Sequence, residues 1–303
     1  MDTSVKIGSL TLKNPITVAS GTAGYGEELS RFVEVSQLGA VFTKGLSMKP
    51  RRGNPGNRVL ETPSGVLNSI GLENVGLDEF IEKKLPWLVK AGAVTIPNVA
   101  AHSVEENIEL CGILSKTPGI DAIELNVSCP NVKQGGMAFG TDMCIFTELV
   151  EQARKVTSCP LIIKLSPNVT DVASFAVRAE EIGADAVSAI NTLLGMKIDI
   201  KTRRPHFTNR VAGLSGPAIR PVAVRIVYQI CQKVKIPVIG MGGISNIDDV
   251  IEFILAGATA VSIGTASMVE PSVSGKLAAE LADYMKSEGI DSLEEIRGAA
   301  LRV

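Results

Sequence analysis

Short apolar runs rich in valine and isoleucine recur along the chain at 16–19, 40–44, 94–99, 122–127, 161–165, 186–190, 237–241 and 260–263. Each is nearly continuous in its apolarity, which is the pattern of a strand covered on both faces in a parallel sheet. Between them, segments 78–90, 104–115, 142–156, 172–182, 217–234 and 248–255 place apolar residues at a spacing near 3.6, the period of an amphipathic helix. Gly39-Ala40, Gly92-Ala93, Gly183-Ala184 and Gly257-Ala258 recur just ahead of the next apolar run or at its start. Glycine there suits the left-handed residue that ends a helix. This helix–Gly-Ala–strand unit is a weak internal repeat, and repeated βα units in one chain of this size predict a closed (β/α)8 barrel. Ahead of the first run, residues 5–12 alternate apolar and polar about Gly8-Ser9, which predicts a β-hairpin closing the bottom of the barrel. Three long connections, 46–76, 128–141 and 192–216, each follow a strand. They fall on the face where such barrels carry their active sites. With no linker or low-complexity stretch, residues 1–303 read as a single domain.

Composition narrows the partners. At 45% hydrophobic and 20% charged, the 303 residues can bury a large core. The net charge of −2 comes with no basic block, so nucleic acid is not an expected partner. The polar start Met1-Asp2-Thr3-Ser4 is followed by no long apolar run, so neither a signal peptide nor a membrane span is expected, and the location expected is cytoplasmic. Cys111, Cys129, Cys144, Cys159 and Cys231 are scattered, with no C-x-x-C pair. Zinc or iron–sulfur ligation by this chain alone is therefore not expected. The two histidines, His102 and His206, sit in no motif, which disfavours a histidine triad or metal site.

The candidate chemistry gathers at the strand ends. Ile239-Gly240-Met241-Gly242-Gly243-Ile244-Ser245 and Ile263-Gly264-Thr265 close the last two strands. Glycines there let backbone N–H groups approach an anion, and barrels commonly hold phosphate at this place. The Gly240-x-Gly242 spacing also hints at a dinucleotide fingerprint, but no acidic residue ends the following strand, so that reading is set aside. Lys44 and Lys164 stand near the ends of core strands, where an amine either has a partner or snorkels to the rim. Glu124 shares a strand face with Asn126 and Ser128, either as a partner of a lysine or in a purely structural ion pair. Cys129, in Ser128-Cys129-Pro130-Asn131, is placed to act as a general base, whereas Cys111 and Cys231 fit inert buried thiols. Asn68, Asn126, Asn131 and Asn191 would converge on one face and match a ring with alternating C=O and N–H groups. A rival reading is a phosphate-binding lyase or isomerase with Lys164 as Schiff-base amine.

The stretch Asn126-Val127-Ser128-Cys129-Pro130-Asn131, together with Asn68-Ser69-Ile70-Gly71-Leu72, Thr43-Lys44-Gly45 and Asn191-Thr192, resembles the class 1 dihydroorotate dehydrogenases over essentially the whole chain. That resemblance implies oxidation of (S)-dihydroorotate to orotate in pyrimidine biosynthesis, with Cys129 as base and a hydride passed to FMN. It implies that FMN contacts Ser20, Lys44, Gly45, Asn98, Asn126, Lys164, Ile190, Gly216, Gly242, Gly243, Gly264 and Thr265. It implies that substrate contacts Lys44, Asn68, Ser69, Ile70, Gly71, Leu72, Asn126, Asn191 and Thr192, with Lys164 assisting catalysis. Ile70 stands where the fumarate-reducing type usually has methionine, so the chain looks more like the NAD-linked type. That type implies a partner subunit carrying FAD and a 2Fe–2S cluster, in a heterotetramer of two catalytic and two electron-transfer subunits. The fumarate-linked type is the alternative.

Overall fold

The computed structural model describes residues 1–128, 130–131 and 137–302. Eight parallel strands form its centre: β1 (Ile16–Val18), β2 (Ala40–Phe42), β3 (Thr95–Ile96 and Asn98–Val99), β4 (Ile123–Asn126), β5 (Leu161–Lys164), β6 (Ala186–Ala189), β7 (Val238–Met241) and β8 (Ala260–Ile263). The predicted runs and the observed strands coincide to within a residue or two at each end. Neighbours follow the order β3–β2–β1–β8–β7–β6–β5–β4–β3. The ring closes through β3, which changes partner at Pro97. Thr95 and Ile96 pair with Val41 and Phe42, while Asn98 and Val99 pair with Glu124 and Leu125. Proline has no N–H to give a ladder, so the break falls where one is not required. The strands are buried throughout, and one hydrophobic cluster joins them to the helices outside.

The helices follow the apolar period. Val104–Leu114, Met143–Val156, Val172–Ile182, Arg220–Cys231 and Ile247–Leu255 lie where the spacing puts them. Their starts are capped by side chains: Ser103, Asp142, Asp171 and Asn246 each accept from a first-turn N–H. Across Leu77–Lys90 the helix widens into a π turn at Phe80–Lys84. Pro86 accounts for it, because it cannot donate to the carbonyl one turn back. Gly92, Gly183 and Gly257 take positive φ as expected, but Gly39 does not. A Cβ on Gly39 would lie 2.2 Å from the Asn14 carbonyl oxygen, so close backbone approach is its reason.

The hairpin is Val5–Ile7 against Leu10–Leu12. Its turn packs on Asp185, just before β6, at the end of the barrel away from the strand C-termini. Two features escaped the periodicity. Val273–Glu288 is a long helix after β8, and between β1 and β2 stand two 3-10 turns, Leu29–Arg31 and Val35–Gln37. The connections 46–76 and 192–216, expected as loops, instead build a four-stranded antiparallel sheet in the order Leu193–Met196, Val211–Ser215, Gly65–Asn68, Val59–Thr62. Phe207 is buried beside it with Leu67 and Ala212. Among the described residues, no helix is long and apolar enough to cross a membrane.

Candidate active site

Each strand of the ring delivers at least one polar or glycine residue to the same end. Ser20 follows β1, Lys44 and Gly45 follow β2, and Asn98 lies in β3 just after the break at Pro97. Asn126 ends β4, Lys164 ends β5, Ile190 and Asn191 follow β6, Gly242 and Gly243 follow β7, and Gly264 and Thr265 follow β8. All of them line one cavity of about 280 Å³. By the same measure one water needs roughly 10–15 Å³, so the cavity is built for something much larger. The antiparallel sheet roofs it, contributing Val59, Val66, Asn68 and Ser215.

Polar pairing fixes the floor. Glu124 is fully buried. One of its oxygens accepts from Ser188 Oγ at 2.7 Å, and the other from Asn98 Nδ2 at 2.5 Å, with Lys164 Nζ at 3.7 Å. Lys164, only 4% exposed, also donates to Ser20 Oγ at 3.1 Å. Of the two sequence readings, the structure selects the partnered lysine, tethered below the cavity by an acid. Asn126 Oδ1 accepts from Asn191 Nδ2 at 3.2 Å and from the Ser128 N–H at 3.1 Å, which holds two amide side chains edge to edge. Asn191 Oδ1 accepts from the Thr192 N–H at 2.8 Å.

At the glycine end, Gly216, Gly242 and Gly243 have φ of 95°, 127° and 81°, a region L side chains avoid. A Cβ on Gly242 would meet Ala223 at 2.9 Å and Ile190 at 3.4 Å. Thr265 Oγ1 donates to Ser215 Oγ at 2.8 Å, which ties β8's end to the roof. At the mouth, Lys44 Nζ lies 3.4 Å from Glu73 Oε2, and Arg58 Nη1 lies 3.3 Å from the same oxygen. Lys44 and Arg58 together hold the Glu73 carboxyl below the usual range.

All twelve residues expected at a flavin line this cavity, as do Lys44, Asn68, Ile70, Leu72, Asn126, Asn191 and Thr192 of the substrate set. Ser69 and Gly71 do not. They alternate with Asn68, Ile70 and Leu72, and face Asn54, whose Nδ2 donates to the Ser69 carbonyl and hydroxyl at 3.0 Å each. Cys129 lies outside the described residues; Asn131 is described by its backbone, paired with Met137. Neither histidine lines the cavity. Burial pushes the Cys111 and Cys231 thiols up to about 12, as suits inert thiols. Sequence reading missed Glu73, Ser215 and Ser262 in the lining. Ser262 is a buried hydroxyl with no hydrogen-bond partner among the described residues, in a run that reads as plain apolar strand.

The family profile described as dihydroorotate dehydrogenase matches residues 3–285. The chain belongs to the dihydroorotate dehydrogenase family. Among curated relatives, the dihydroorotate dehydrogenase B (NAD(+)) catalytic subunit of Trichlorobacter lovleyi is 51% identical, over 98% of this chain and 97% of that one. The proteins of the same name from Geotalea daltonii and Desulforamulus reducens are 50% and 49% identical, covering 98% and 99% of each chain. A solved structure, DHODH from Eimeria tenella in complex with ferulenol, superposes with a TM-score of 0.79, covering 100% of this chain and 89% of that one. At 20% identity that likeness speaks to the fold alone.

Proposed function

We propose that this chain is the catalytic subunit of a cytoplasmic, NAD-linked dihydroorotate dehydrogenase, oxidising (S)-dihydroorotate to orotate in pyrimidine biosynthesis. The observation that carries the reading is the convergence of strand-end residues from all eight barrel strands on one cavity, in a chain of this family. We read residues 1–303 as one domain, on the strength of a single large hydrophobic cluster spanning the barrel and its helices.

FMN fits the residues present. The glycine cradle of Gly216, Gly242, Gly243 and Gly264 leaves room for a phosphate where side chains would collide, and it offers backbone N–H groups. Ser20, Lys44, Gly45, Asn98, Asn126, Lys164, Ile190 and Thr265 would hold the rest, and Ser262 adds a buried hydroxyl with no partner among the described residues. When bound, FMN supplies the two-electron acceptor that the oxidation needs.

The chain's own residues bind, orient and handle the proton. Asn68, Asn126 and Asn191 present amides to the edges of a pyrimidine ring, with Ile70, Leu72 and Thr192 beside them. Lys44 receives the substrate carboxylate. Cys129 Sγ takes the proton from C5 of the substrate, and this role rests on the family resemblance. Lys164, held by Glu124 and Ser20, places a positive charge at the floor, where it stabilises negative charge that develops during oxidation. A partner subunit carrying FAD and a 2Fe–2S cluster, in an assembly of two catalytic and two electron-transfer subunits, would supply the route from the flavin to NAD.

The test is a visible absorption spectrum of the purified protein before and after anaerobic dihydroorotate. A flavin spectrum that bleaches, and that recovers with NAD only when the partner subunit is added, is expected. A colourless protein unable to take up FMN, or a flavin that dihydroorotate leaves unchanged, would overturn the reading.

A further inference from the structure

Among the described residues, the charged side chains lining the cavity are Lys44, Glu73 and Lys164. Lys164 already has Glu124 beneath it. Among the described residues, Lys44 is therefore the lining cation left to meet an anionic ligand, yet Glu73 stands on it at 3.4 Å. Glu73 also touches a second cation, since Arg58 Nη1 reaches the same carboxylate oxygen at 3.3 Å. Arg58 is fixed independently of Glu73. Its carbonyl accepts from the Ser69 N–H at 2.8 Å, and its guanidinium donates to the Arg52 carbonyl at 3.2 Å. The segment bearing Glu73 is likewise pinned. Asn74 Nδ2 donates to Ser47 Oγ and to the Leu72 carbonyl, while its Oδ1 accepts from the Gly76 N–H.

We propose that Glu73 is a resident counter-ion that the substrate carboxylate must displace from Lys44, and that Arg58 is where the Glu73 carboxylate goes. This rests on the reading of the cavity as a dihydroorotate site. A carboxylate ligand and Glu73 are like charges sharing one ammonium, so the ligand binds at the expense of the Lys44–Glu73 contact and leaves Glu73 to Arg58 alone. Without a ligand the two cations share the single Glu73 carboxylate, which leaves one positive charge at the mouth; with one, Lys44 pairs with the ligand and Glu73 with Arg58, and the charges match. The exchange also makes Glu73 a selector for charge. A neutral ring of the same shape gains nothing from Lys44 and leaves Glu73 where it is. Because Glu73 is partly exposed, solvent screens the competition to roughly a two- to fivefold effect on affinity.

The test is calorimetric titration of the FMN-loaded enzyme with orotate and, separately, with its neutral methyl ester. Glu73→Gln should bind orotate roughly two- to fivefold more tightly than wild type and bind the ester unchanged, with the advantage shrinking as ionic strength rises. Arg58→Gln should weaken orotate binding, and that loss should vanish in the Glu73→Gln background. Orotate binding in Glu73→Gln that is equal to or weaker than wild type, or an ester that tightens as much as orotate, would overturn the exchange while leaving the dihydroorotate reading intact. A wild-type holoenzyme that binds neither compound would overturn both.

Discussion

Replacing Glu124 by glutamine keeps its shape and removes its charge. The carboxylate is fully buried, and both oxygens are occupied by Ser188 and Asn98, with Lys164 Nζ at 3.7 Å. A glutamine can keep the Asn98 bond by turning its NH2 toward Ser188 Oγ, which can accept. No orientation returns a negative charge to Lys164, whose remaining described side-chain contact is the Ser20 hydroxyl. Removing one partner of a buried pair costs about 3–5 kcal/mol. The lower end applies here, because Lys164 borders the cavity. For a chain of this length, about 3 kcal/mol corresponds to a fall in Tm of roughly 5 °C. The assay is thermal unfolding of the flavin-free protein by circular dichroism, with Lys164→Met and the double variant alongside. Lys164→Met should be tolerated better in the Glu124→Gln background than alone, a coupling that distant, independent sites do not show. A Glu124→Gln protein within about 0.5 kcal/mol of wild type, the range of an ordinary surface change, would refute the view that Glu124 anchors Lys164.

Other expectations follow from the same geometry. Gly242→Val should abolish FMN retention on gel filtration, since its Cβ meets Ala223 at 2.9 Å on a backbone with φ of 127°. Asp249→Ala should lower stability by about 1–3 kcal/mol in urea unfolding, because the buried Asp249 carboxylate accepts from the Ser245 N–H and hydroxyl and pairs with Arg220. Cys111 should resist thiol reagents in the native state at pH 8 while the exposed Cys144 reacts, as mass spectrometry of labelled peptides would show. The Cys111 thiol is raised in the fold from 9.0 to about 12, so its contribution to stability is complete below pH 9 and is lost as pH rises toward 12. The stability gap between wild type and Cys111→Ala should therefore narrow by about 1 kcal/mol between pH 8 and pH 10 in urea titrations.

The barrel was legible because a strand buried on both faces is apolar at nearly every position, and β5 through β8 are, broken only by Lys164, Ser188 and Ser262. The roof was not. Val59–Thr62 alternates exposed and half-buried positions, and Gly65–Asn68 pairs with Val211–Ser215 some 145 residues further on, which no local window can register. The helix Val273–Glu288 mixes alanine, lysine and glutamate around a narrow buried stripe of Leu277, Leu281 and Met285, a weaker signal than its neighbours carry. Within the site, residue types odd for their position gave themselves away: lysines ending core strands, and amides where the chain leaves the sheet. Glu73 hid because an acid in a polar connection is ordinary, and Ser262 because a single small hydroxyl hardly interrupts an apolar run. Ser69 and Gly71 came with the family resemblance as part of the run from Asn68 to Leu72, and among these five residues the cavity is lined by Asn68, Ile70 and Leu72.

The roof has a consequence for anyone who would rebuild this enzyme. Its four strands come half from one insertion and half from another, and Gly213, Leu214 and Ser215 complete the ladder begun by Val66, Leu67 and Asn68. Neither insertion is a module by itself. Grafting one onto a related barrel would leave an unpaired strand edge over the cavity, an invitation to aggregation. Substrate scope in this scaffold is therefore best redesigned with both insertions moved together as a single transplant.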